Sequence, residues 1–97
     1  MHIEKSRDGG RLTLAVQGRL DTNTAPELEE ALADADATEI EFDFAGLEYI
    51  SSAGLRVLLA AKKSLIGSGG GMSVLNANDT VRNVFEITGC SELFGLV

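Results

Sequence analysis

A change of hydrophobic period between residues 39 and 66 constrains the fold of this chain more than any other feature. Over residues 39–44 apolar side chains alternate with acidic ones, the period of two expected of a strand with one buried face. After the Ser51-Ser52 pair the apolar residues recur at helical spacing, as Leu55, Leu58, Leu59, Leu65 and Ile66. The sequence therefore predicts a strand that leads into a helix over residues 52–66, with two hydroxyl groups at the junction.

The junction between this strand and this helix is suited to an anion. Serine is a favoured residue before the first helical turn, because its hydroxyl can accept a hydrogen bond from a free backbone N–H. The same free N–H groups and the helix dipole attract negative charge. From the residues alone, Ser51 or Ser52 is expected to cap the helix, and the turn presents a hydroxyl on a surface that would accommodate a phosphate.

Four strands are predicted along the chain. Residues 3–7 and 11–17 pair as a hairpin around an Asp-Gly-Gly turn, residues 39–44 precede the junction, and residues 72–75 form a short fourth strand. Residues 18–23 are expected to be a loop. The glycine-rich segment before the fourth strand lacks the Gly-Lys-Ser/Thr of a phosphate-binding loop, and we interpret it as a flexible connection.

Three helices are predicted, of which the second follows the junction. The segment Thr24-Ala-Pro-Glu has the pattern of a capping box, and the helix that it starts is expected to run to about residue 36. The Asn78-Asp79 pair supplies a cap for the third helix. Gly89 is expected to end that helix, since glycine readily adopts the left-handed conformation found after a last helical turn.

The order of these elements, β-β-α-β-α-β-α, predicts an α/β (α+β mixed) fold over residues 1–97 as one domain. Strand–helix–strand units require parallel neighbours and right-handed crossovers. Because residues 39–44 alternate cleanly, we expect a mixed four-stranded sheet with the helices mainly on one face, and with Glu41 and Asp43 exposed on the other. The predicted core is Leu12, Leu14, Val16, Leu28, Leu32, Ile40, Phe42, Phe44, Leu55, Leu58, Leu59, Val74, Val84 and Phe85.

Composition excludes several classes of function. A net charge of -7 argues against binding to nucleic acid or to an anionic membrane surface, since both need clustered lysine and arginine. Cys90 is the only cysteine, so no intramolecular disulfide can form, and with His2 as the only histidine no metal site is expected. No apolar run has the length of a membrane span or of a signal peptide. We therefore expect a cytoplasmic protein without a cofactor.

Three stretches of the chain resemble the STAS domain, as found in bacterial anti-sigma factor antagonists. Asp43-Phe-Ala-Gly-Leu-Glu-Tyr-Ile-Ser-Ser-Ala-Gly-Leu resembles the family signature, which usually ends Ile-Asp-Ser-Ser-Gly-Leu. Gly18-Arg-Leu-Asp-Thr-Asn-Thr-Ala resembles the segment before the first helix, and Asn78-Asp-Thr-Val-Arg-Asn-Val-Phe-Glu-Ile-Thr-Gly resembles the last helix. The three stretches occur in the family's order and span nearly the whole chain.

The resemblance implies a phosphorylation site and a surface for a partner protein. Ser52 stands at the family's phosphoacceptor, with Ser51, which replaces the family's acid, as the second candidate. The loop before the first helix is implied to neighbour this turn, so Asp21, Thr22 and Asn23 are implied to help bind the partner. The other candidate partner-binding residues are Ser51, Ala53 and Gly54 at the turn and Arg56 on the helix after it, whose charge could pair with a partner. Each has an ordinary structural interpretation that the sequence leaves open: a helix cap, a polar loop, a close backbone approach or a solvated helix face.

The implied function is that of an anti-sigma factor antagonist. Its partner would be an anti-sigma factor that is also a serine kinase. While Ser52 is unphosphorylated the protein would bind this partner, which would release a sigma factor. Once phosphorylated, the protein would dissociate from the partner, and a phosphatase would restore the unphosphorylated form. The alternative is a STAS subunit that is never phosphorylated and docks on another complex, such as a transporter ATPase. This alternative is favoured because Ser51 replaces the family's acidic residue and Ala53 replaces its second serine. An enzyme with Ser52 as nucleophile lacks support, because the chain has no Gly-x-Ser-x-Gly motif and its sole histidine is His2.

Overall fold

The computed structural model describes residues 1–33, 37–91 and 94, which form five strands and three helices. The elements in chain order are β1 (His2–Asp8), β2 (Arg11–Leu20), α1 (Ala25–Ala33), β3 (Glu39–Asp43), β4 (Leu47–Ile50), α2 (Ser52–Gly67), β5 (Gly71–Leu75) and α3 (Asp79–Ile87). Within this part of the chain no helix is long and apolar enough to cross a membrane. The predicted end of the first helix, at about residue 36, lies outside the described residues.

The sheet is mixed, as predicted, and its order is β1-β2-β3-β5 with β4 paired to β2. β1 and β2 form an antiparallel hairpin, whereas β2–β3, β2–β4 and β3–β5 are parallel pairs. The prediction of four strands was wrong, because β4 was missed. The buried residues of β4, Leu47 and Ile50, are three apart with exposed Glu48 and half-buried Tyr49 between them, so this strand lacks the period of two on which the prediction relied.

β2 is longer than predicted and has two parallel neighbours in succession. Arg11–Ala15 pair with β3, and Gly18–Leu20 pair with β4, with a break in register between Gly18 and Arg19. Gly18 has a φ of 99°, a conformation that side chains disfavour, and its N–H donates to the Gly46 carbonyl at 2.9 Å. Residues 18–20 are therefore strand, where the sequence predicted a loop.

The predicted core is confirmed for most of its members, with three exceptions. Leu32 and Val84 are half-buried, and Leu59 is 37% exposed. Leu59 lies on the side of α2 that faces away from the sheet, while Val57 occupies a buried position of the same helix. The helical period of α2 is thus as predicted, but its buried face is rotated from the one that the leucines alone indicated.

Glu41 and Asp43 are half-buried, where exposure was predicted. β3 lies between β2 and β5, so side chains of both neighbouring strands flank its outer face. The Glu41 carboxylate comes within 3.8 Å of the Arg11 guanidinium. The Asp43 carboxylate accepts hydrogen bonds from the Ala45 N–H at 3.0 Å and the Asn76 side-chain amide at 3.1 Å. These local partners account for the reduced exposure.

The ends of α3 follow the predicted chemistry. Asn78 caps α3 by accepting a hydrogen bond from the Val81 N–H at 2.8 Å, and Gly89 ends that helix with a φ of 74°. The glycine run that ends α2 is more constrained than a flexible connection, however. A Cβ on Gly70 would collide with the Thr38 carbonyl oxygen, and the Gly71 N–H donates to that oxygen at 3.0 Å.

Candidate phosphorylation and partner-binding site

The junction between β4 and α2 lies beside the end of β2. Ser51 has an extended backbone, with φ −102° and ψ 176°, and α2 begins at Ser52. The Ser51 N–H donates to the Leu20 carbonyl at 2.8 Å, and the Ser51 carbonyl accepts from the Leu55 N–H at 3.0 Å. The first of these bonds joins the junction to the residue that precedes Asp21. The structure therefore brings the two predicted stretches, around Asp21 and around Ser52, to the same end of the sheet.

Ser51 does not cap α2 with its side chain, contrary to the sequence-based interpretation. Its Oγ is buried from solvent and has no hydrogen-bond partner among the described residues. The backbone of Ser51 occupies the capping position, but no N–H group of the first turn donates a hydrogen bond to its hydroxyl. A buried hydroxyl without a partner is unfavourable.

Ser52 is the first residue of α2 and is exposed. No acidic residue lies in the first turn of this helix, so its N–H groups face no carboxylate from that turn. A negatively charged group on Ser52 would lie near the positive end of the helix dipole. Of the two serines, Ser52 is the one whose hydroxyl is open to another molecule.

The neighbours of Ser52 on α2 differ in how far they reach the surface. Ala53 is half-buried and Arg56 is exposed. Gly54 is buried, and a Cβ there would come within 2.7 Å of Leu20 Cγ and 3.0 Å of Ile50 Cγ1. Gly54 thus permits α2 to pack closely against the ends of β2 and β4 in the same chain.

Gly54→Ala is therefore expected to destabilise the fold by about 1–3 kcal/mol, the usual range for overpacking a tight core position. Gly67→Ala is the matched control, because it is the same substitution on the same helix and no atom lies within 4 Å of the added methyl group. The free energies of unfolding of both variants would be measured in urea. Equal stabilities for the two variants would show that the contact of Gly54 with Leu20 is easily relaxed.

The loop of Asp21, Thr22 and Asn23 is held by the Asp21 carboxylate. Asp21 Oδ1 accepts from the N–H groups of Asn23 at 3.0 Å and Thr24 at 3.1 Å. Thr22 and Asn23 are exposed, and Asp21 is half-buried. The loop therefore presents two exposed polar side chains on a backbone that Asp21 fixes.

The capping box predicted at Thr24 is not formed by its side chain. The Thr24 hydroxyl donates to the Arg19 carbonyl at 2.7 Å and accepts from the Asp21 N–H at 2.9 Å. The Glu27 N–H donates to the Thr24 backbone carbonyl at 2.9 Å instead. The hydroxyl thus ties the start of α1 to the end of β2, which a local sequence pattern does not reveal.

Two residues at this end of the sheet were missed as site candidates. Arg19 pairs with Tyr49 across the β2–β4 ladder, and its guanidinium lies over the Tyr49 ring at 4.7 Å from the centroid. Arg19 Nε is also 3.9 Å from Asp21 Oδ2. Arg19 stands within the Gly-Arg-Leu-Asp stretch, but its partner Tyr49 lies on β4, the strand that the sequence did not predict.

The environment of Asp21 lowers the pKa of its carboxyl group. Partial desolvation opposes this by raising the pKa, but the hydrogen bonds from Thr24 and Asn23 and the charge of Arg19 outweigh it. A carboxyl whose pKa is lower in the folded state adds stability above its unfolded pKa. That contribution is lost as the pH falls through the folded value.

We expect the wild type to lose stability more steeply than Asp21→Asn on acidification from about pH 5 to about pH 2, because only the wild type has this carboxyl to protonate and its pKa in the folded state is lowered. Thermal melts of both proteins across this range would measure the difference in slope. Since both share every other titratable group, parallel curves would mean that the charge of Asp21 does not stabilise the loop.

Comparison with known proteins identifies the family. Residues 3–97 match the family model described as "Mlab, STAS domain". The chain is similar to the putative anti-sigma factor antagonist BtrV of Bordetella bronchiseptica, with 35% identity over 97% of this chain and 84% of that protein. It is also similar to the anti-sigma-B factor antagonist of Listeria monocytogenes, with 33% identity over 92% of this chain and 81% of that protein.

A solved structure shares the fold. The anti-sigma factor antagonist SpoIIAA in its unphosphorylated form superposes with a TM-score of 0.87 and 21% identity, over 99% of this chain and 88% of that one. At this identity the likeness is one of fold, and it agrees with the mixed sheet and three helices described above. Taken with the match of the family model over residues 3–97, these findings show that the chain belongs to the STAS domain family.

Proposed function

We propose that this protein is an anti-sigma factor antagonist controlled by phosphorylation of Ser52. With Ser52 unphosphorylated it binds an anti-sigma factor that is also a serine kinase, and the sigma factor held by that partner is released. Phosphorylation of Ser52 ends the complex, and a phosphatase restores the binding form. The protein acts as a regulator rather than as an enzyme, and its proposed place is the cytoplasm.

The observation that carries this proposal is the exposed Ser52 hydroxyl at the start of α2. A kinase needs a hydroxyl that it can reach, and the first turn of a helix tolerates the phosphate that results. The names of the curated relatives support the same function, since those of Bordetella bronchiseptica and Listeria monocytogenes are described as anti-sigma factor antagonists.

Ser52 is a better phosphoacceptor than Ser51 in this conformation. The Ser51 Oγ is buried, so the junction would have to open before a kinase could reach it. Although the two residues are adjacent, Ser52 is exposed, whereas the Ser51 Oγ is buried. We therefore propose Ser52 as the phosphorylation site, and we propose that Ser51 stabilises the junction through its backbone hydrogen bonds.

The partner is proposed to contact the exposed groups around Ser52. On one side these are Thr22 and Asn23, held in place by Asp21, and on the other Arg56, which is accompanied by half-buried Ala53. Ser51 and Gly54 contribute by shaping the junction, because Ser51 bonds to Leu20 and Gly54 packs against it. The proposed surface thus combines a fixed loop with the first turns of one helix.

The experiment is to incubate the protein with its cognate anti-sigma factor and ATP and to map phosphorylated residues by mass spectrometry. We expect one phosphate on Ser52 in the wild type and in Ser51→Ala, and none in Ser52→Ala. Ser51→Ala is the matched control, because it removes the adjacent hydroxyl and leaves the proposed site intact. A complex that forms without phosphate on any variant would favour the constitutive docking subunit instead.

A further inference from the structure

One side of α2 carries apolar and basic side chains that no other element covers. Leu59, Ala60, Lys63 and Ile66 are all exposed and recur at the spacing of one helical stripe, which we name the α2 outer face. Leu59 is 37% and Ile66 60% exposed. Among the described residues the only other large apolar side chain with comparable exposure is Ile87, on α3. The exposed apolar surface is therefore concentrated on this helix.

The charge of α2 is opposite to that of the chain. α2 contains Arg56, Lys62 and Lys63 and no acidic residue, although the net charge of the protein is -7. Within the described part of the chain no carboxylate forms an ion pair with any of the three. By contrast α1, which packs beside α2, exposes Glu27, Glu29 and Glu30. The basic character is thus confined to one helix of the layer.

The apolar and basic groups share one shallow groove. Leu59, Ala60 and Ile66 line its apolar part, Lys62 and Lys63 border it, and its volume is about 500 Å³. Lysine stems can cover apolar surface while their ammonium groups stay at the rim. A molecule that fills this groove must therefore offer apolar atoms to its floor and negative charge to its edge.

We propose that the α2 outer face binds an amphipathic helix of a partner protein whose apolar stripe is flanked by aspartate or glutamate. A helix of this kind satisfies both requirements, because its apolar residues meet Leu59 and Ile66 and its carboxylates meet the two lysines. A second copy of this chain is disfavoured, since two α2 outer faces placed together would bring their lysines against one another. An anionic membrane is disfavoured by the net charge of -7.

This surface is separate from the proposed phosphorylation site. Ile66 lies fourteen positions after Ser52 along one continuous helix, an axial distance of about 21 Å at 1.5 Å per residue. That distance exceeds the screening length of about 8 Å at physiological ionic strength. Binding at the far end of α2 is therefore expected to depend little on the charge of Ser52.

The test uses two synthetic peptides of about 20 residues with the same leucine and isoleucine stripe, one flanked by glutamate and the other by lysine. Each is titrated into the full chain, with affinity and contact residues followed by NMR. We expect the glutamate peptide to bind at least about 10-fold more tightly, to shift the methyl signals of Leu59 and Ile66, and to weaken as salt is added.

Three variants decide the interpretation. Lys63→Glu should weaken the glutamate peptide about 10-fold and strengthen the lysine peptide, whereas the matched control Lys5→Glu, on β1, should change neither. Ser52→Asp should bind the glutamate peptide as the wild type does. The proposal is overturned if neither peptide binds, if both bind equally, or if Lys5→Glu acts as Lys63→Glu does. Self-association abolished by Ile66→Ser would assign the face to a second copy and would also overturn it.

Discussion

Phosphorylation of Ser52 is expected to weaken binding to the anti-sigma factor by about 100-fold or more. A partner that covers the start of α2 would have to bury a group with about -1.5 to -2 charges. Leaving such a charge unpaired in an interface costs several kcal/mol, on the order of 3–5 by analogy with broken buried ion pairs. Since α2 offers no acidic residue in its first turn, the folded protein itself should tolerate the phosphate.

Titration calorimetry of the anti-sigma factor against the wild type, its phosphorylated form, Ser52→Asp and Ser52→Ala measures this effect. Ser52→Asp should lose affinity in part, because it adds one charge instead of nearly two, and Ser52→Ala should bind as the wild type does. Thr80→Asp is the matched control, since Thr80 is also exposed in the first turn of a helix, α3. Equal affinities for the wild type, its phosphorylated form and Ser52→Asp would refute phosphorylation as the control.

Leu58→Ala is expected to destabilise the fold by about 2–5 kcal/mol, as truncation of a fully buried leucine does. Leu58 is 0% exposed on α2, within the core shared with the sheet. Ser52→Ala, six residues earlier on the same helix, should change the free energy of unfolding by less than about 0.5 kcal/mol, because Ser52 is exposed and its hydroxyl forms no hydrogen bond with the described residues.

Urea unfolding of the two variants beside the wild type tests this contrast. The contrast between the two variants matters for function, because a residue whose role is regulatory should not be required for folding. If Ser52→Ala proved as damaging as Leu58→Ala, Ser52 would be a structural residue, and a loss of partner binding in its variants would reflect unfolding.

The elements with regular hydrophobic patterns could be predicted from the sequence. The alternation through Ile40 and Phe42, the helical spacing after Ser52 and the cap at Asn78 each depend on residues close in the chain, and all three are confirmed. The three stretches that resemble the STAS domain led to the correct family, because they cover nearly the whole chain in order.

β4 could not be predicted, because a strand of four residues carries too little pattern. Leu47 and Ile50 are buried at a spacing of three, and the strand is defined by its pairing with Gly18–Leu20, which lies far away in sequence. The same pairing explains the error at the end of β2. A strand that is defined by pairing with a distant segment, and that lacks an alternating hydrophobic pattern of its own, cannot be predicted from a single sequence.

The hydrogen bonds of the hydroxyl groups were the least predictable part of the site. Ser51 and Thr24 both occupy positions where serine and threonine often cap helices, yet Thr24 bonds to the Arg19 carbonyl and the Ser51 Oγ bonds to no described residue. The fold around each hydroxyl, rather than its place in the pattern, decides its partner. Which residues of the proposed partner-binding surface contact a partner stays a prediction, and Ser52 is the first to test.

The division of β2 between two neighbours has a consequence for how the protein opens. Its first half is held in the main sheet, whereas the end that carries Leu20 rests on the short ladder to β4. Few backbone bonds hold that ladder, so it can separate at a lower free energy than the whole domain unfolds. The backbone amides that close this ladder, in β4 and at the end of β2, should therefore exchange with solvent deuterium ahead of those in the main sheet.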